Sequence, residues 1–289
     1  MSEVKSSLRA LLAEGRFITA PGVFDLISAR IADGMGFDAL YMTGYGTVAS
    51  HLGLPDAGLA TYSDMLGRVE RIAGACRTPL IADGDTGYGG LLNVRHTVRG
   101  YEAAGAAGIQ LEDQQFPKKC GHTPGRRVVP VDEMVAKIAV AAESRRSDDF
   151  LIVARTDARS ALGLDEALSR AAAYQAAGAD ILFVESPETE DEMARIGAAF
   201  DRPVLINMVD GGTTPMLPRA RLQALGFAMA IYPVTGFLAA AAALQSVYAT
   251  LRRDGSTEAL DVPLYPFPDF SRLMGFEDVW DFERRHARD

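Results

Sequence analysis

Cysteine is scarce in this sequence, and long hydrophobic runs are absent. The 289 residues include only two cysteines, Cys76 and Cys120, which excludes the disulfide framework of a small secreted protein and favours a reducing compartment. Every run of about 18 residues contains charged or turn-forming residues, so we predict no membrane partner. Residues 1–12 lack the apolar core of a signal peptide, and we therefore expect a cytoplasmic protein.

Positive charge is also in short supply. The formal net charge is −9, which argues against a nucleic-acid partner because such a partner is bound through its phosphates. A local positive pocket for a small anionic substrate is compatible with this balance. Hydrophobic residues make up 48% and charged residues 23% of the chain, a composition typical of a globular protein with a substantial core. We predict one domain over residues 1–289.

Short apolar runs alternate with alanine-rich helical patterns along the chain, which indicates repeated βα units. Several helical patterns end at a glycine just before the next run, as at Gly36, Gly105, Gly178 and Gly226, and glycine favours helix C-termini. The predicted strands are Phe17–Ala20, Ala39–Met42, Leu80–Ala82, Gly108–Leu111, Leu151–Ala154, Ile181–Val184, Val204–Ile206 and Ala228–Ile231. The predicted helices between them are Leu26–Met35, Tyr62–Cys76, Val94–Ala104, Val131–Ser144, Leu164–Ala177, Glu190–Phe200 and Arg219–Leu225.

Eight βα units predict an α/β protein built as a (β/α)8 TIM-type barrel. An open, doubly wound sheet is the alternative, but no Gly-x-Gly-x-x-Gly motif follows the first strand, and polar residues follow many strands instead of one crevice. Residues 237–289 form a predicted helical extension, with helices near Phe237–Arg253 and Glu277–Arg288. Aromatic residues such as Tyr265 and Trp280 in this extension favour contact with another subunit, so we expect a homo-oligomer.

Carboxylates follow two neighbouring predicted strands. Asp83 and Asp85 come directly after the third strand, and Glu112 follows the fourth. Because the functional groups of a parallel barrel gather at the C-terminal ends of its strands, we expect these three side chains to converge. Hard oxygen donors without a histidine or cysteine among them suit Mg²⁺ (or Mn²⁺). A turn-forming role for the Asp-Gly-Asp sequence is the alternative.

The other predicted strands also end in polar residues. Arg155 follows the fifth strand, Glu185 the sixth and Asn207 the seventh. Arg155 is suited to bidentate binding of a carboxylate that Glu185 orients, and a structural ion pair between the two is the alternative. Asn207 and the later Thr214 are either donors to a substrate carboxylate or strand caps. Tyr41, at the end of the second strand, lies either beside the predicted metal or in the core.

A lone cysteine lies in the basic segment Lys118-Lys119-Cys120-Gly121-His122, shortly after Glu112. Positive neighbours favour the thiolate, the form of cysteine that exchanges a proton near neutral pH. An exposed basic loop that merely contains a thiol is the alternative. The nearby strand-end carboxylate, Glu112, favours a catalytic role for Cys120 over this alternative.

Together these segments resemble the isocitrate lyase and phosphoenolpyruvate mutase superfamily over nearly the whole chain. The resemblance rests on Tyr41-Met42-Thr43-Gly44, Gly53-Leu54-Pro55-Asp56, Asp83-Gly84-Asp85-Thr86-Gly87-Tyr88-Gly89, Glu112-Asp113-Gln114, the Cys120 segment, Ala154-Arg155-Thr156-Asp157-Ala158 and Asn207-Met208-Val209-Asp210-Gly211-Gly212-Thr213-Thr214-Pro215. The Cys120 segment resembles that of the carbon–carbon lyases, including the 2-methylisocitrate and 2,3-dimethylmalate lyases, and of carboxyphosphonoenolpyruvate mutase. Thr43 departs from a frequent serine, and Asp210 from a frequent glutamate.

The resemblance implies a Mg²⁺-dependent carbon–carbon lyase that cleaves a 2-hydroxy di- or tricarboxylate to pyruvate and a second carboxylate. It also implies a homotetramer whose subunits exchange a terminal helix. We hypothesise that Cys120 protonates the departing carbon, with His122 and the neighbouring lysines Lys118 and Lys119 tuning its pKa, and that Tyr41 accepts the hydroxyl proton. The other implied roles are substrate orientation by Arg155 and Glu185, metal binding by Asp85, Asp83 and Glu112, and substrate contact by Thr43, Gly44, Asp56, Lys118, Gly121, Asn207, Thr214 and Pro215.

Other activities remain open on the same scaffold. An oxaloacetate hydrolase or decarboxylase would use the same metal site, and a carboxyphosphonoenolpyruvate mutase would retain phosphorus in its product. A non-catalytic binding protein is disfavoured by the complete set of motifs. Arg126 and Arg127 either pair with a further substrate carboxylate or lie at the surface, and residues Pro233–Phe237 are expected to limit substrate size.

Overall fold

The computed structural model describes residues 7–121 and 125–287. Its strands are parallel and form a closed barrel in chain order, with the last strand paired to the first. The predicted (β/α)8 barrel is therefore confirmed. The strands are β1 (Ile18–Val23), β2 (Leu40–Met42), β3 (Leu80–Asp83), β4 (Gly108–Glu112), β5 (Leu151–Thr156), β6 (Ile181–Val184), β7 (Val204–Asn207) and β8 (Met229–Tyr232).

Helices follow most of the strands, as parallel strand pairs joined by crossovers require. They are α1 (Leu8–Ala13), α2 (Leu26–Gly34), α3 (Gly44–Leu52), α4 (Tyr62–Ala75), α5 (Leu91–Ala103), α6 (Val131–Ser144), α7 (Ala158–Leu162), α8 (Leu164–Ala176), α9 (Glu190–Gly197), α10 (Arg219–Ala224), α11 (Thr235–Asp254), α12 (Phe267–Leu273) and α13 (Phe276–His286).

Apolar side chains fill the barrel interior, as strands buried on both faces require. Ile81, Val153 and Phe183 belong to this cluster and have no exposed surface. Leu8 of α1 packs into the same cluster, and Arg9 anchors α1 through a 2.8 Å bond from Nη2 to Asp180 Oδ1. The N-terminal end of the barrel is thereby closed, which leaves the C-terminal end for a functional site.

Helix α3 lies where the sequence pattern predicts a loop. Two glycines and two β-branched residues give its first turns a low helix propensity. Gly44, Gly46, Thr47 and Val48 are nevertheless buried, and tertiary packing of this kind commonly outweighs intrinsic propensity. The helix begins directly after β2, so its first residues lie at the C-terminal end of the barrel. The short helices α1, α7 and α12 are likewise absent from the sequence prediction.

The described chain divides into two compact units after Gly236. Within the second unit, Tyr265 packs against Phe270 with ring centroids 6.3 Å apart, and Phe276 packs against Trp280 at 5.9 Å. Large apolar side chains in this unit remain exposed, namely Leu238, Leu244, Tyr248, Leu251, Leu264, Tyr265, Phe267, Phe276, Val279, Trp280 and Phe282. Within the described ranges, no helix combines the length and apolar character needed to span a membrane.

Gly197 permits a close approach between the C-terminal ends of α9 and α10. A Cβ atom at this position would collide with the carbonyl oxygen of Leu225, and one at Gly226 would lie 2.5 Å from the carbonyl oxygen of Gly197. The two turns therefore pack backbone against backbone. This contact joins successive βα units on the outer side of the barrel.

We expect Gly197→Ala to lower the free energy of unfolding by about 1–3 kcal/mol, because a backbone contact of this kind has no room for an added methyl group. The matched control is Gly67→Ala in α4, where a Cβ atom meets nothing within 4 Å. This control should raise stability by about 0.5–1 kcal/mol through helix propensity. Urea unfolding measures both, and equal effects of the two substitutions would contradict the packing argument.

Candidate active site

A small cavity lies among the C-terminal strand ends. Its volume is about 40 Å³, far below the roughly 300–1,000 Å³ of a typical ligand pocket. A substrate of several carbon atoms therefore needs the walls to move apart. The wall is formed by Tyr41, Thr43, Tyr45, Asp56, Asp83, Glu112, Lys118, Lys119, Cys120, Gly121, Arg155, Asn207, Val209, Ile231, Pro233 and Val234.

Most of the site residues expected from the sequence contribute to this wall. Gly44, Asp85, Glu185, Thr214 and Pro215 are not part of the cavity lining. His122 lies outside the described residues. The sequence interpretation did not single out Tyr45, Val209 or Ile231. Tyr45 was missed because it belongs to α3, where a loop was expected, although its position just after Thr43 and Gly44 at a strand end was an available signal.

Asp83 is held in place by its immediate surroundings. The backbone amide of Asp85 donates to Asp83 Oδ1 at 3.0 Å, and Gln110 Nε2 lies 3.5 Å from the same oxygen. A Cβ atom on Gly44 would collide with Asp83 Oδ2, so glycine is needed where α3 meets β3. Asp85 itself has a φ of +49°, an uncommon conformation for a non-glycine residue that often marks a functional site.

Lys118 occupies the acidic cluster. Its Nζ lies 2.5 Å from Asp56 Oδ1 and 2.5 Å from Asp85 Oδ1, and the side chain is only 4% exposed. Burial raises the pKa of Asp85 to about 6 even though Lys118 opposes this shift. For Lys118 burial acts to lower the pKa, but Asp85, Asp56 and Asp83 outweigh it and the pKa is raised well above its usual value. Lys118 therefore stays protonated beside the buried carboxylates of Asp56 and Asp85.

The oxygen donors around Lys118 also fit a divalent cation. Glu112 Oε1 is buried without a hydrogen-bond partner, and Asp85 Oδ1 has no hydrogen bond of good geometry despite its ion pair. Within residues 7–121 and 125–287, no three His, Cys, Asp or Glu side chains are arranged to hold a metal ion directly. Mg²⁺ is commonly bound by one or two carboxylates with water completing its shell, so the donor set fits Mg²⁺.

Arg155 is the centre of a buried ion-pair network. It donates to Asp157 in bidentate fashion, from Nε to Oδ2 at 2.9 Å and from Nη2 to Oδ1 at 2.8 Å. Its Nη1 lies 3.2 Å from Glu185 Oε2, and its Nε lies 3.5 Å from Glu112 Oε2. The Arg155–Glu185 ion pair weighed as an alternative is present, but the closer partner is Asp157. The guanidinium is thereby fixed in orientation.

Asp157 also binds Arg126. Arg126 Nη1 donates to Asp157 Oδ1 at 2.6 Å, and both side chains are buried. Although burial alone acts to raise the pKa of Asp157, the Arg155 and Arg126 guanidinium groups lower it below its usual value. Arg126 is therefore a structural partner and not a free cation for substrate. Arg127, by contrast, is exposed.

Asp113 supports this network from behind. Its Oδ2 accepts hydrogen bonds from Thr156 Oγ1 at 2.7 Å and from the Tyr174 hydroxyl at 2.8 Å. Its Oδ1 accepts from the backbone amide of Asp157 at 2.8 Å. Since Asp113 is fully buried, these bonds set the position from which Asp157 reaches Arg155. The sequence interpretation quoted Asp113 within a motif but assigned it no role.

Tyr41 is a hydrogen-bond donor at the floor of the cavity. Its hydroxyl donates to Gln110 Oε1 at 2.9 Å. Burial, followed by the charge of Asp83, raises the pKa of Tyr41 well above its usual value. A phenol with a raised pKa is protonated at neutral pH. This favours hydrogen-bond donation over the proton acceptance expected from the sequence.

Cys120 lies in a segment whose backbone is fixed by several contacts. Gln114 binds the backbone of Lys119 twice, accepting from its N–H at 3.0 Å and donating to its C=O at 2.8 Å. Lys118, expected to act on the thiol, has its ammonium between Asp56 and Asp85 instead. The side chain of Cys120 still lines the same cavity as Asp83, Glu112 and Arg155.

Asn207 and Thr214 supply further polar atoms. Asn207 Nδ2 donates to Glu185 Oε2 at 3.1 Å. Asn207 Oδ1 and Thr214 Oγ1 are both buried without a hydrogen-bond partner, and an unsatisfied buried polar atom is uncommon in a folded protein. Of the two residues, only Asn207 lines the cavity, so its free carbonyl oxygen is the one placed to meet a ligand.

Comparison with known proteins agrees with this architecture. The family model for phosphoenolpyruvate phosphomutase matches residues 8–252. The chain belongs to this family. It is 48% identical to the 2,3-dimethylmalate lyase of Eubacterium barkeri over 282 residues, which cover 98% of each chain. The expected membership of the isocitrate lyase and phosphoenolpyruvate mutase superfamily is confirmed, as is the expectation of a carbon–carbon lyase.

Two solved structures illustrate the range of the family. Oxaloacetate acetylhydrolase in complex with 3,3-difluorooxalacetate superposes with a TM-score of 0.91 at 37% identity, covering 98% of this chain and 97% of that one. Phosphonopyruvate hydrolase in complex with oxalate and Mg²⁺ superposes with a TM-score of 0.88 at 34% identity, covering 97% and 98%. The fold therefore hosts several reactions, and the side chains of the site must distinguish them.

Proposed function

We propose that this protein is a Mg²⁺-dependent carbon–carbon lyase that cleaves a 2-hydroxy dicarboxylate to pyruvate and a second carboxylate. One observation carries the proposal: Cys120 lines the same small cavity as Asp83, Glu112 and Arg155. A thiol that delivers a proton and a cluster of oxygen donors that binds a 2-hydroxy acid therefore meet on one substrate. The 48% identity to a 2,3-dimethylmalate lyase supports this assignment.

Asp85 would hold Mg²⁺ directly, with Asp83 and Glu112 bonded to it through water. When bound, the cation supplies Lewis-acid stabilisation of the negative charge that develops on the substrate oxygens. Oxygen donors alone suit Mg²⁺ or Mn²⁺ better than softer metals. The presence of Mg²⁺ and oxalate in the related phosphonopyruvate hydrolase structure supports the choice of metal.

The side chains of the wall would bind the keto-acid half of the substrate. Arg155, fixed by Asp157 and Glu185, offers positive charge to the carboxylate next to the hydroxyl-bearing carbon. The one hydroxyl hydrogen of Tyr41 is donated to Gln110 Oε1, so Tyr41 would line this half of the cavity without donating to the substrate. Asn207 Oδ1, which has no partner, can accept a hydrogen bond from the substrate hydroxyl.

Cys120 would protonate the half of the substrate that leaves as the second carboxylate. Cleavage of the bond between the second and third carbons turns the hydroxyl carbon into a ketone and leaves a carbanion next to the second carboxylate. The hydroxyl proton would pass to a carboxylate of the wall, and Glu112 is the candidate because its Oε1 is buried without a partner. The Cys120 thiol would give its proton to the carbanion, and transfer of the proton from Glu112 to the Cys120 thiolate would restore both groups.

The charges in the wall favour a dicarboxylate over a tricarboxylate. Lys118 is paired with Asp56 and Asp85, and Arg155 with three carboxylates. Among the described residues of the wall, Lys119 is the one cation without an ion pair. Among the described residues, one further substrate carboxylate therefore finds a charged partner, the exposed Lys119, and a third finds none, which supports a dicarboxylate substrate.

An oxaloacetate hydrolase is the second candidate, because the solved structure of oxaloacetate acetylhydrolase superposes with a TM-score of 0.91. That reaction consumes a water molecule, and the acetate carbon that it releases must also gain a proton, so the thiol is compatible with both activities. The 48% identity to a 2,3-dimethylmalate lyase, against 37% to the hydrolase, favours the lyase.

We also propose that residues 1–236 and the extension 237–289 act as one domain of a homotetramer, in which the extension is exchanged between subunits. Its exposed aromatic residues, such as Phe267 and Trp280, support the proposal because large apolar surfaces are usually covered. Sedimentation equilibrium that returned the mass of a single chain would contradict it.

The expected cytoplasmic location is likewise proposed, and fractionation of the source cells tests it.

A pyruvate-release assay tests the proposed activity. With Mg²⁺ present, we expect pyruvate from 2,3-dimethylmalate, with kcat/KM about tenfold or more above that for 2-methylisocitrate, because a third carboxylate lacks a charged partner. A chelator should abolish the reaction. Conversion of oxaloacetate to acetate and oxalate, with no cleavage of either branched acid, would instead identify the hydrolase.

The role of Cys120 has its own test. We expect Cys120→Ser to lower kcat about a hundredfold or more while KM changes little, because a serine hydroxyl is a far weaker acid than a thiol. Cys76→Ser is the matched control, since Cys76 lies at the end of α4, where burial raises its pKa to about 11. A Cys120→Ser enzyme with normal turnover would exclude the thiol as the proton donor.

A further inference from the structure

Ser186 has an unusual backbone conformation directly after β6. Its φ is +59°, in the left-handed region that glycine adopts without steric cost and other residues adopt rarely. The residue is buried, with 3% of its surface exposed. A side chain retained at such a position suggests that the side chain itself has a role.

The Ser186 hydroxyl lies between two acceptors. Its Oγ is 3.0 Å from the backbone carbonyl oxygen of Gly121 and 3.2 Å from Glu185 Oε1. The Ser186 backbone amide donates to the same Glu185 Oε1 at 2.8 Å. A hydroxyl has one hydrogen to donate. Since the backbone amide already donates to Glu185 Oε1, the hydroxyl can donate its hydrogen to the carbonyl oxygen of Gly121.

Gly121 is packed directly against the Arg155–Glu185 pair. A Cβ atom on Gly121 would collide with Arg155 Nη2 and would lie 3.0 Å from Glu185 Oε2. The backbone next to Cys120 therefore rests on the guanidinium and carboxylate assigned to substrate orientation. Its carbonyl oxygen turns toward Ser186 and is held there by the hydroxyl.

We propose that Ser186 is a positioning residue that sets two groups. Its hydroxyl holds the carbonyl of Gly121, and with it the position of Cys120, while its backbone amide holds the Glu185 carboxylate that faces Arg155. The predicted effect on turnover rests on the proposed lyase activity. The effect on the position of Cys120 does not.

The experiment compares Ser186→Ala and Ser186→Gly with the unaltered protein. Both remove the hydroxyl, but only glycine also removes the steric cost of a positive φ. Alkylation of Cys120 by iodoacetamide, followed by peptide mass spectrometry at two pH values, reports how well the thiol is held in the cavity. Cys76 in the same digest is the internal reference, and urea unfolding checks that each variant is folded.

We expect Cys120 to react about twofold to tenfold faster in both variants at both pH values, the range that corresponds to loss of one neutral hydrogen bond. Cys76 should be unaffected. Unchanged Cys120 reactivity in both variants would overturn the proposal. Faster reaction in Ser186→Ala with normal reaction in Ser186→Gly would also overturn it, because backbone strain and not the hydroxyl would then be the cause.

Steady-state kinetics extend the test to catalysis. Both variants should lower kcat about tenfold with KM changed less than about twofold, since the hydroxyl aligns catalytic groups and does not touch the substrate. If the unaltered protein cleaves none of the tested acids, the proposed function fails while the alkylation result still decides the role of Ser186. A KM effect alone would contradict the positioning role.

Discussion

Burial of several carboxylates at one end of the barrel is the constraint on which the site depends. Asp83, Asp85, Glu112, Asp113, Asp157 and Glu185 are each at most 7% exposed. Charged groups out of water are stable only when other charges or hydrogen bonds compensate them. Lys118 and Arg155 supply that compensation in the two halves of the cluster, and the positions of the other polar side chains follow from theirs.

The two halves have different characters. On the Arg155 side the compensation is complete: Asp157 binds both Arg155 and Arg126, and Asp113 is satisfied by four hydrogen-bond donors. Near Lys118 it is partial, since Asp85 Oδ1 lacks a hydrogen bond of good geometry and Glu112, which also contacts Arg155, keeps Oε1 without a partner. A fixed guanidinium suits orientation of substrate, whereas under-compensated oxygens suit a metal ion. The proposed roles of substrate positioning and metal binding therefore fall on different parts of the carboxylate cluster.

The sequence was sufficient for the fold and for most of the cavity wall. Alternating apolar runs and helical patterns give the strand ends. A parallel barrel brings these strand ends together independently of the conformation of the loops. Contacts set by loop conformation were not predictable. The approach of Lys118 to Asp85 instead of the thiol depends on a turn that no periodicity encodes. Asp157 as the partner of Arg155 was missed because Asp157 lies just beyond the end of β5, at the start of α7, where a strand pattern does not give the direction of the side chain.

The central claim is that Lys118 and the proposed Mg²⁺ compensate the same buried carboxylates, and substitution of Lys118 tests it most directly. In metal-free buffer, Lys118→Met should lower the free energy of unfolding by about 3–5 kcal/mol, because two buried carboxylates lose their partner. Saturating Mg²⁺ should remove most of that difference between the variant and the unaltered protein. A loss of stability that is equal with and without Mg²⁺ would contradict the claim that the two cations serve the same carboxylates.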